Sequence, residues 1–250
     1  MIELKTKAEI EIMKDCGKKL MTAVDKLMPQ IKPGITTNFI DDEAKRLIEA
    51  EGAESSFNKV PGYKWTTCLP INEQVVHTPP SKRIIKDGDV LTVDIGAYYK
   101  GFHTDYATTV VVGTPKTSET IEFLKVGQDV LDAAIKKAEY NSYTGEISKV
   151  IEDGIYGHGY HILKDLTGHG VGRELHEDQL IPGFLDKPIH KTYRIPEGLV
   201  IAIEVIYSMG TEHIRYDRDD NWSIASRDGS LTACFEKSVA ITKENAFILT

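Results

Sequence analysis

Cysteine is scarce in this chain: Cys16, Cys68 and Cys234 are the three in 250 residues, far apart and with no C-x-x-C pair. An odd, dispersed set excludes a disulfide framework and a zinc-finger pattern. A reducing, cytoplasmic setting is the expectation. Long apolar runs are missing too. None is long enough to span a bilayer, and the N-terminal MIELKTKAEIEIMKD alternates charge with apolar residues where a signal peptide has an apolar core. Positive charge is in deficit, with 30 Lys and Arg against 38 Asp and Glu, a formal net charge of −8. That argues against DNA or anionic membrane as partners, both of which call for a basic surface. No Gly/Ser linker, low-complexity tract or close repeat divides the chain. Residues 1–250 are expected to form one domain, as a monomer.

Several catalytic signatures are absent as well. His176-Glu177-Asp178-Gln179-Leu180 starts like H-E-x-x-H but has Leu where the second His must stand. There is no P-loop lysine, no strand-G-x-G-x-x-G-helix unit and no G-x-S-x-G elbow.

What is present reads as helices, a hairpin, more helices, then strands. Thr6 and Glu9 form a T-x-x-E capping box ahead of an amphipathic run over 7–28. A second helix is expected over 37–51, closed by Gly52. Residues 65–78 read as extended, and 117–140 and 144–157 as helical. The stretch 87–113 is rich in β-branched and aromatic residues around Lys100-Gly101 and predicts a β-hairpin. Residues 198–210, GLVIAIEVIYSMG, predict an apolar strand, and the chain beyond about 230 reads as short strands. The order suggests an α+β fold with a largely antiparallel sheet.

Three carboxylates stand inside these apolar strands: Asp94 in VLTVDIGAYY, Glu204 in LVIAIEVIY and Glu236 in LTACFEKSVAI. Such a residue is either solvated or buried with a partner. Glu204 has apolar neighbours on both parities, so it is the hardest to solvate. If the hairpin loop is Lys100-Gly101, Asp94 faces Ala107, and Asp105 is its diagonal neighbour on the same face. A four-residue loop keeps that parity; a three-residue loop reverses it. Two carboxylates side by side repel unless a cation or a proton lies between them. The segment LTGHGVGRELHE (166–177) adds His169 and His176 on a stretch too glycine-rich for a helix and expected to be a loop. Oxygen-rich ligation with one or two imidazoles suits Mn, Fe, Co or Zn. Four carboxylates exceed the charge of one divalent ion, which favours two ions roughly 3.5–4 Å apart. Spacing alone does not show that these residues converge.

The ordered set Asp94, Asp105, His169 in TGHGVG, Glu204 in AIEV and Glu236 in FEKS resembles the type I methionine aminopeptidases of the pita-bread metallopeptidase family. KPGITT, INEQVVH, KDGDVLTVDIG, FHTDYATT and TGHGVGRELHE extend the resemblance over nearly the whole chain. It implies a curved antiparallel sheet flanked by helices, with pseudo-two-fold halves. It implies a dinuclear centre in which Asp94 holds one metal, His169 and Glu204 the other, and Asp105 and Glu236 bridge both. A bridging water or hydroxide would attack the peptide bond after the initiator methionine of a nascent polypeptide, at the ribosome, when the second residue is small. Glu204 would also accept the proton. His77 would help stabilise the tetrahedral intermediate, and His176 would contact the scissile peptide. Phe57, Tyr63, Cys68, Leu175 and Trp222 would form the methionine pocket, whose aromatic, aliphatic and sulfur-bearing walls suit a thioether. The glycines around His169 would let backbone pass close to the metals.

The chain departs from the family pattern at four places. Val205 stands where Pro is usual, Lys237 where His is usual, Thr78 where Gly is usual, and Tyr106 where a small residue is usual. None removes a ligand. His103, His158, His161, His190 and His213 are assigned no role. An inactive peptide- or ribosome-binding relative would be expected to have lost ligands. A proline-specific peptidase of the same fold would usually carry an extra N-terminal domain, and this chain begins about where the catalytic domain would.

Overall fold

The computed structural model of the chain describes residues 2–216 and 220–250. Among them, four helices are α1 (Lys7–Leu27), α2 (Thr37–Ala50), α3 (Ser118–Ile135) and α4 (Thr144–Gly157). The strands are β1 (Glu54–Ser55), β2 (Thr67–Cys68), β3 (Gln74–Val76), β4 (Asp89–Tyr99), β5 (Phe102–Val112), β6 (His161–Ile162), β7 (Thr167–Gly170), β8 (Glu177–Pro182), β9 (Val200–Ser208), β10 (Ile214–Tyr216), β11 (Ile224–Ser226), β12 (Thr232–Ile241) and β13 (Ala246–Ile248). One antiparallel sheet runs β1-β4-β5-β12-β9-β7-β8, with β2 on β4, β6 on β9 and β13 on β12; β10, β11 and β3 form a second, small sheet.

Local chemistry explains the element boundaries. Thr6 Oγ1 accepts from Glu9 N at 3.3 Å, and the Glu9 carboxylate accepts from Thr6 N at 2.8 Å, so the capping box starts α1. The hairpin turn places Lys100 at φ 49° and Gly101 at φ 91°, the two left-handed residues of a two-residue loop. Asp94 therefore pairs with Ala107, as the two-residue loop requires.

The molecule is two similar halves. In one, α1 and α2 share a core with β4 and β5 through Leu20, Ile48, Leu91 and Val112. In the other, α3 and α4 share a core with β9 and β12 through Phe123, Ile151, Ile203 and Phe235. All eight are 4% exposed or less, and burying each such side chain contributes roughly 1.5–3 kcal/mol. The halves join at β5–β12 through the pairs Ala107–Glu236 and Tyr106–Lys237. Hydroxyls zip the ladder on either side. Thr109 Oγ1 donates to Cys234 O at 2.8 Å, and Ser238 Oγ accepts from Asp105 N at 2.9 Å.

Three expectations are corrected. The helix expected over 117–140 ends at Ile135, because Asn141 N donates to Ile195 O and Thr144 N to Tyr193 O, pulling the chain into a backbone ladder. The C-terminal region is not only short strands. β12 runs ten residues because β9 pairs with it from Thr232 to Ala240. The glycine-rich segment is not a free loop, since Thr167–Gly170 is a strand held between β8 and β9.

Candidate active site

Strand register gathers the chemistry. Cys68, Asp94, Ala107, Glu236 and Glu204 form one continuous row across β2, β4, β5, β12 and β9. Asp105 is two residues from Ala107 on β5, and His169 pairs with Ala202, two residues from Glu204. Residues at two-residue spacing share a face. Asp94, Asp105, His169, Glu204 and Glu236 therefore project from one side of the sheet, with the small Ala107 and Ala202 between them. The inner strands β5 and β12 carry Asp105 and Glu236; the outer ones carry Asp94 and Glu204.

The donor atoms are close. His169 Nε2 lies 3.6 Å from Glu204 Oε1 and 3.9 Å from Asp105 Oδ2. One ligand atom each from Asp105, His169 and Glu236 lie within 4.8 Å of one another. Nδ1 of His169 is 2.8 Å from Gly170 O, to which it donates, so Nε2 turns its lone pair to the carboxylates. Burial, reinforced by His176, pushes the His169 imidazole down to about 3, which keeps it neutral.

Burial first, then mutual repulsion, pushes Asp94, Glu204 and Glu236 well above the usual carboxylate range, and burial takes Asp105 up to about 7. Glu236 Oε1 is buried without a hydrogen-bond partner. A buried, unpaired carboxylate costs several kcal/mol. An orphaned oxygen, a lone-pair-directed imidazole and a carboxylate cluster together fit a divalent metal.

The cluster opens into a cleft of about 370 Å³. Its apolar end is built by Phe57, Tyr63, Cys68 and Leu175 with Trp222 packed against them. Tyr63 meets Trp222 edge-on at 5.0 Å, and its hydroxyl donates to Thr67 O at 2.7 Å. His77 and His176 line the same cleft, and the His176 ring stands 4.4 Å from that of His169. His77 is held at φ 59°, a left-handed conformation that costs a β-carbon residue energy and persists only where the surroundings enforce it. Burial pushes His77 down to about 4 and lowers His176 as well. Both are neutral at pH 7 and can give or take a hydrogen bond.

All twelve candidate residues line this one cleft. Sequence reasoning missed Val60, Val76, Leu166, Leu180 and Ile206, which line it too. Ile206 could have been found, because it is two residues from Glu204 on the same strand face. His103 is buried, with Nδ1 2.7 Å from Ser56 Oγ. The four departures leave the ligands clear. Val205 is fully buried in the core of α3 and α4. Strand alternation puts Lys237 and Tyr106 on the face opposite Glu236 and Asp105, so Lys237 does not look into the acidic site. Thr78 is buried and does not line the cleft.

The glycines beside His169 admit protein rather than metal. A Cβ on Gly168 would lie 2.5 Å from Ala202 O, and one on Gly170 3.0 Å from Glu177 Cβ. Gly168→Ala is expected to push β7 off β9 and withdraw His169 from Glu204. A stability loss of about 1–3 kcal/mol should appear in urea unfolding, together with weaker metal binding by calorimetry. An unchanged unfolding midpoint would contradict this account.

The chain belongs to metallopeptidase family M24, whose model matches residues 11–243. Within the family, methionine aminopeptidase 1 of Bacillus subtilis is 35% identical over 250 residues, covering 100% of this chain and 99% of that protein. The crystal structure of a methionine aminopeptidase from Thermotoga maritima superposes with a TM-score of 0.95 at 35% identity, covering 100% of this chain and 99% of the other. A Xaa-Pro dipeptidase from Bacillus anthracis shares the fold at a TM-score of 0.79 and 22% identity; this chain spans 61% of its length. The architecture is the pita-bread fold.

Proposed function

We propose that this chain hydrolyses the N-terminal methionine from nascent polypeptides whose second residue is small. One observation carries the reading: the five ligand-type side chains, His77 and His176 open into the same cleft as a pocket walled by aromatic, aliphatic and sulfur-bearing groups. The names of the full-length relatives support the same substrate. We assign Asp94 to one divalent ion, His169 and Glu204 to a second, and Asp105 and Glu236 to both. Four buried carboxylates carry more charge than one divalent ion offsets, which favours two; Mn, Fe, Co and Zn all accept this donor set. When bound, such ions supply Lewis acidity towards water and the peptide carbonyl.

The chain's own groups do the rest. The apolar pocket takes the methionine side chain and excludes water from it. The Glu204 carboxylate accepts the proton that the attacking water loses. His77 and His176, neutral and close to the ligands, hydrogen-bond the scissile peptide and the oxygen that becomes negative. Three buried free thiols suit a reducing cytoplasm. No helix among the described residues is long and apolar enough to cross a membrane. Action on chains still at the ribosome belongs to this reading.

The test is methionine release from Met-Ala-Ser and Met-Leu-Ser by chelator-stripped protein titrated with Mn, Fe, Co and Zn. Release should need metal, saturate near two equivalents and favour Met-Ala-Ser. Folded, metal-loaded protein that releases nothing with any of the four would overturn the reading.

A further inference from the structure

We infer that Lys5 is a positioning residue of the active site: through Glu177, it fixes the turn that presents His176 to the substrate. The inference rests on the role proposed above for His176. The Lys5 side chain is 2% exposed and pairs with the Glu177 carboxylate, 13% exposed, from 172 residues away. Glu177 directly follows His176, lines the cleft and begins β8 opposite Gly170. Its second oxygen, Oε1, accepts from Arg173 N at 2.8 Å, closing the turn 173–177 on itself. Lys5 is itself anchored. Its backbone N donates to Gly198 O at 2.7 Å, and its ammonium donates to Glu3 O at 2.8 Å.

Gly172 ties the ion pair to the motif. A Cβ there would lie 2.1 Å from Lys5 Cε and 2.5 Å from Glu177 Oε1. The third glycine of TGHGVG is therefore the space into which this pair packs. A neighbouring contact reinforces the strap from outside: Arg173 donates to Glu3 Oε1 at 2.8 Å, pairs with Glu9 and lies over the Phe102 ring. That contact is half exposed, so most of its Coulomb energy is screened. The Lys5–Glu177 pair is not, and removing one partner leaves a buried charge unpaired, which drives rearrangement. The displacement falls on residues 173–177. The ligands on β4, β5, β9 and β12 are held by their own ladders, and His169 on β7 by its pairing with Ala202 of β9.

The experiment is a double-mutant cycle on the full chain, metal-loaded, with Met-Ala-Ser: Lys5→Met, His176→Ala and both together. Lys5→Met is expected to lower kcat about 10- to 100-fold, the scale of misplacing a contact group, with unchanged metal stoichiometry. The double variant should be no slower than His176→Ala alone, because Lys5 acts through His176. Effects that multiply, or Lys5→Met turning over like wild type, would overturn the inference; so would a fully active His176→Ala. If Lys5→Met does not fold, Glu177→Gln carries the same cycle, since it breaks the ion pair and keeps an acceptor for Arg173 N. Wild-type protein that releases no methionine would instead count against the proposed function.

Discussion

Glu204→Gln should abolish methionine release, lowering kcat by about 10³-fold or more while leaving KM for Met-Ala-Ser within a few-fold of wild type. The amide keeps the volume of the carboxylate but cannot accept a proton at neutral pH. It also removes the anionic oxygen that stands 3.6 Å from His169 Nε2, so one assigned metal loses one of its four protein ligands. Substrate affinity is set elsewhere, by the Phe57, Tyr63, Cys68 and Leu175 wall, which explains the split between kcat and KM. A structural role alone would move both constants together. Burial and Asp105 both oppose ionisation of Glu204, so neutralising it relieves repulsion. The metal-free variant should melt no lower than metal-free wild type. Steady-state kinetics, calorimetric metal titration and thermal melting check the three parts. A kcat within tenfold of wild type would remove Glu204 from the proton-accepting role.

Much of this site was legible because strands obey a two-residue period. The pairing of Asp94 with Ala107, and hence the shared face of Asp94 and Asp105, followed from one turn signal, Lys100-Gly101. Alternation from Glu204 also places Val205 on the opposite face, so its harmlessness could have been read beforehand. The convergence of β4, β5, β12 and β9 could not be. Glu236 meets the Asp94 row only through Ala107, on a strand more than a hundred residues earlier in the chain, and no local pattern encodes that pairing. The resemblance to a known family supplied it. The end of α3 differs for a related reason: residues 136–140 read as helical, and the backbone ladder from residues 141–144 to 193–195 overrides that pattern. β7 has almost no strand propensity of its own and exists because β8 and β9 flank it. Lys5 was invisible, one of several lysines in a charged N-terminal segment.

Removing the metal should reverse how stability responds to pH above about 6.5. In the metal-free fold Asp105 is pushed from its ordinary 3.8 up to about 7, and Asp94, Glu204 and Glu236 are pushed up as well. Each folded-state value lies above the unfolded one. The folded chain therefore holds protons that the unfolded chain has released, and these groups lose stability as pH rises. The imidazoles run the other way. His169, His77 and His103 are pushed down to about 3, 4 and 4, so they lose stability as pH falls below about 6.5. Above that value they are neutral in both states and only the carboxyls titrate. Each carboxyl that stays protonated in the fold then costs about 1.4 kcal/mol per pH unit. Metal-free protein should thus melt several degrees lower at pH 8 than at pH 6.5, at roughly 2–4 °C per kcal/mol for a chain of this size. Metal binding needs the same carboxyls ionised, so the metal-loaded curve should rise over the window in which the metal-free curve falls. Glu236→Gln removes one titrating group from the cluster. It should flatten the metal-free slope and shrink the metal-induced rise at pH 8. Thermal melts from pH 5 to 8, with chelator and with Mn, for both proteins decide the matter. A metal-free melting temperature that holds or climbs between pH 6.5 and 8 would mean the carboxyls are not forced together as their burial requires.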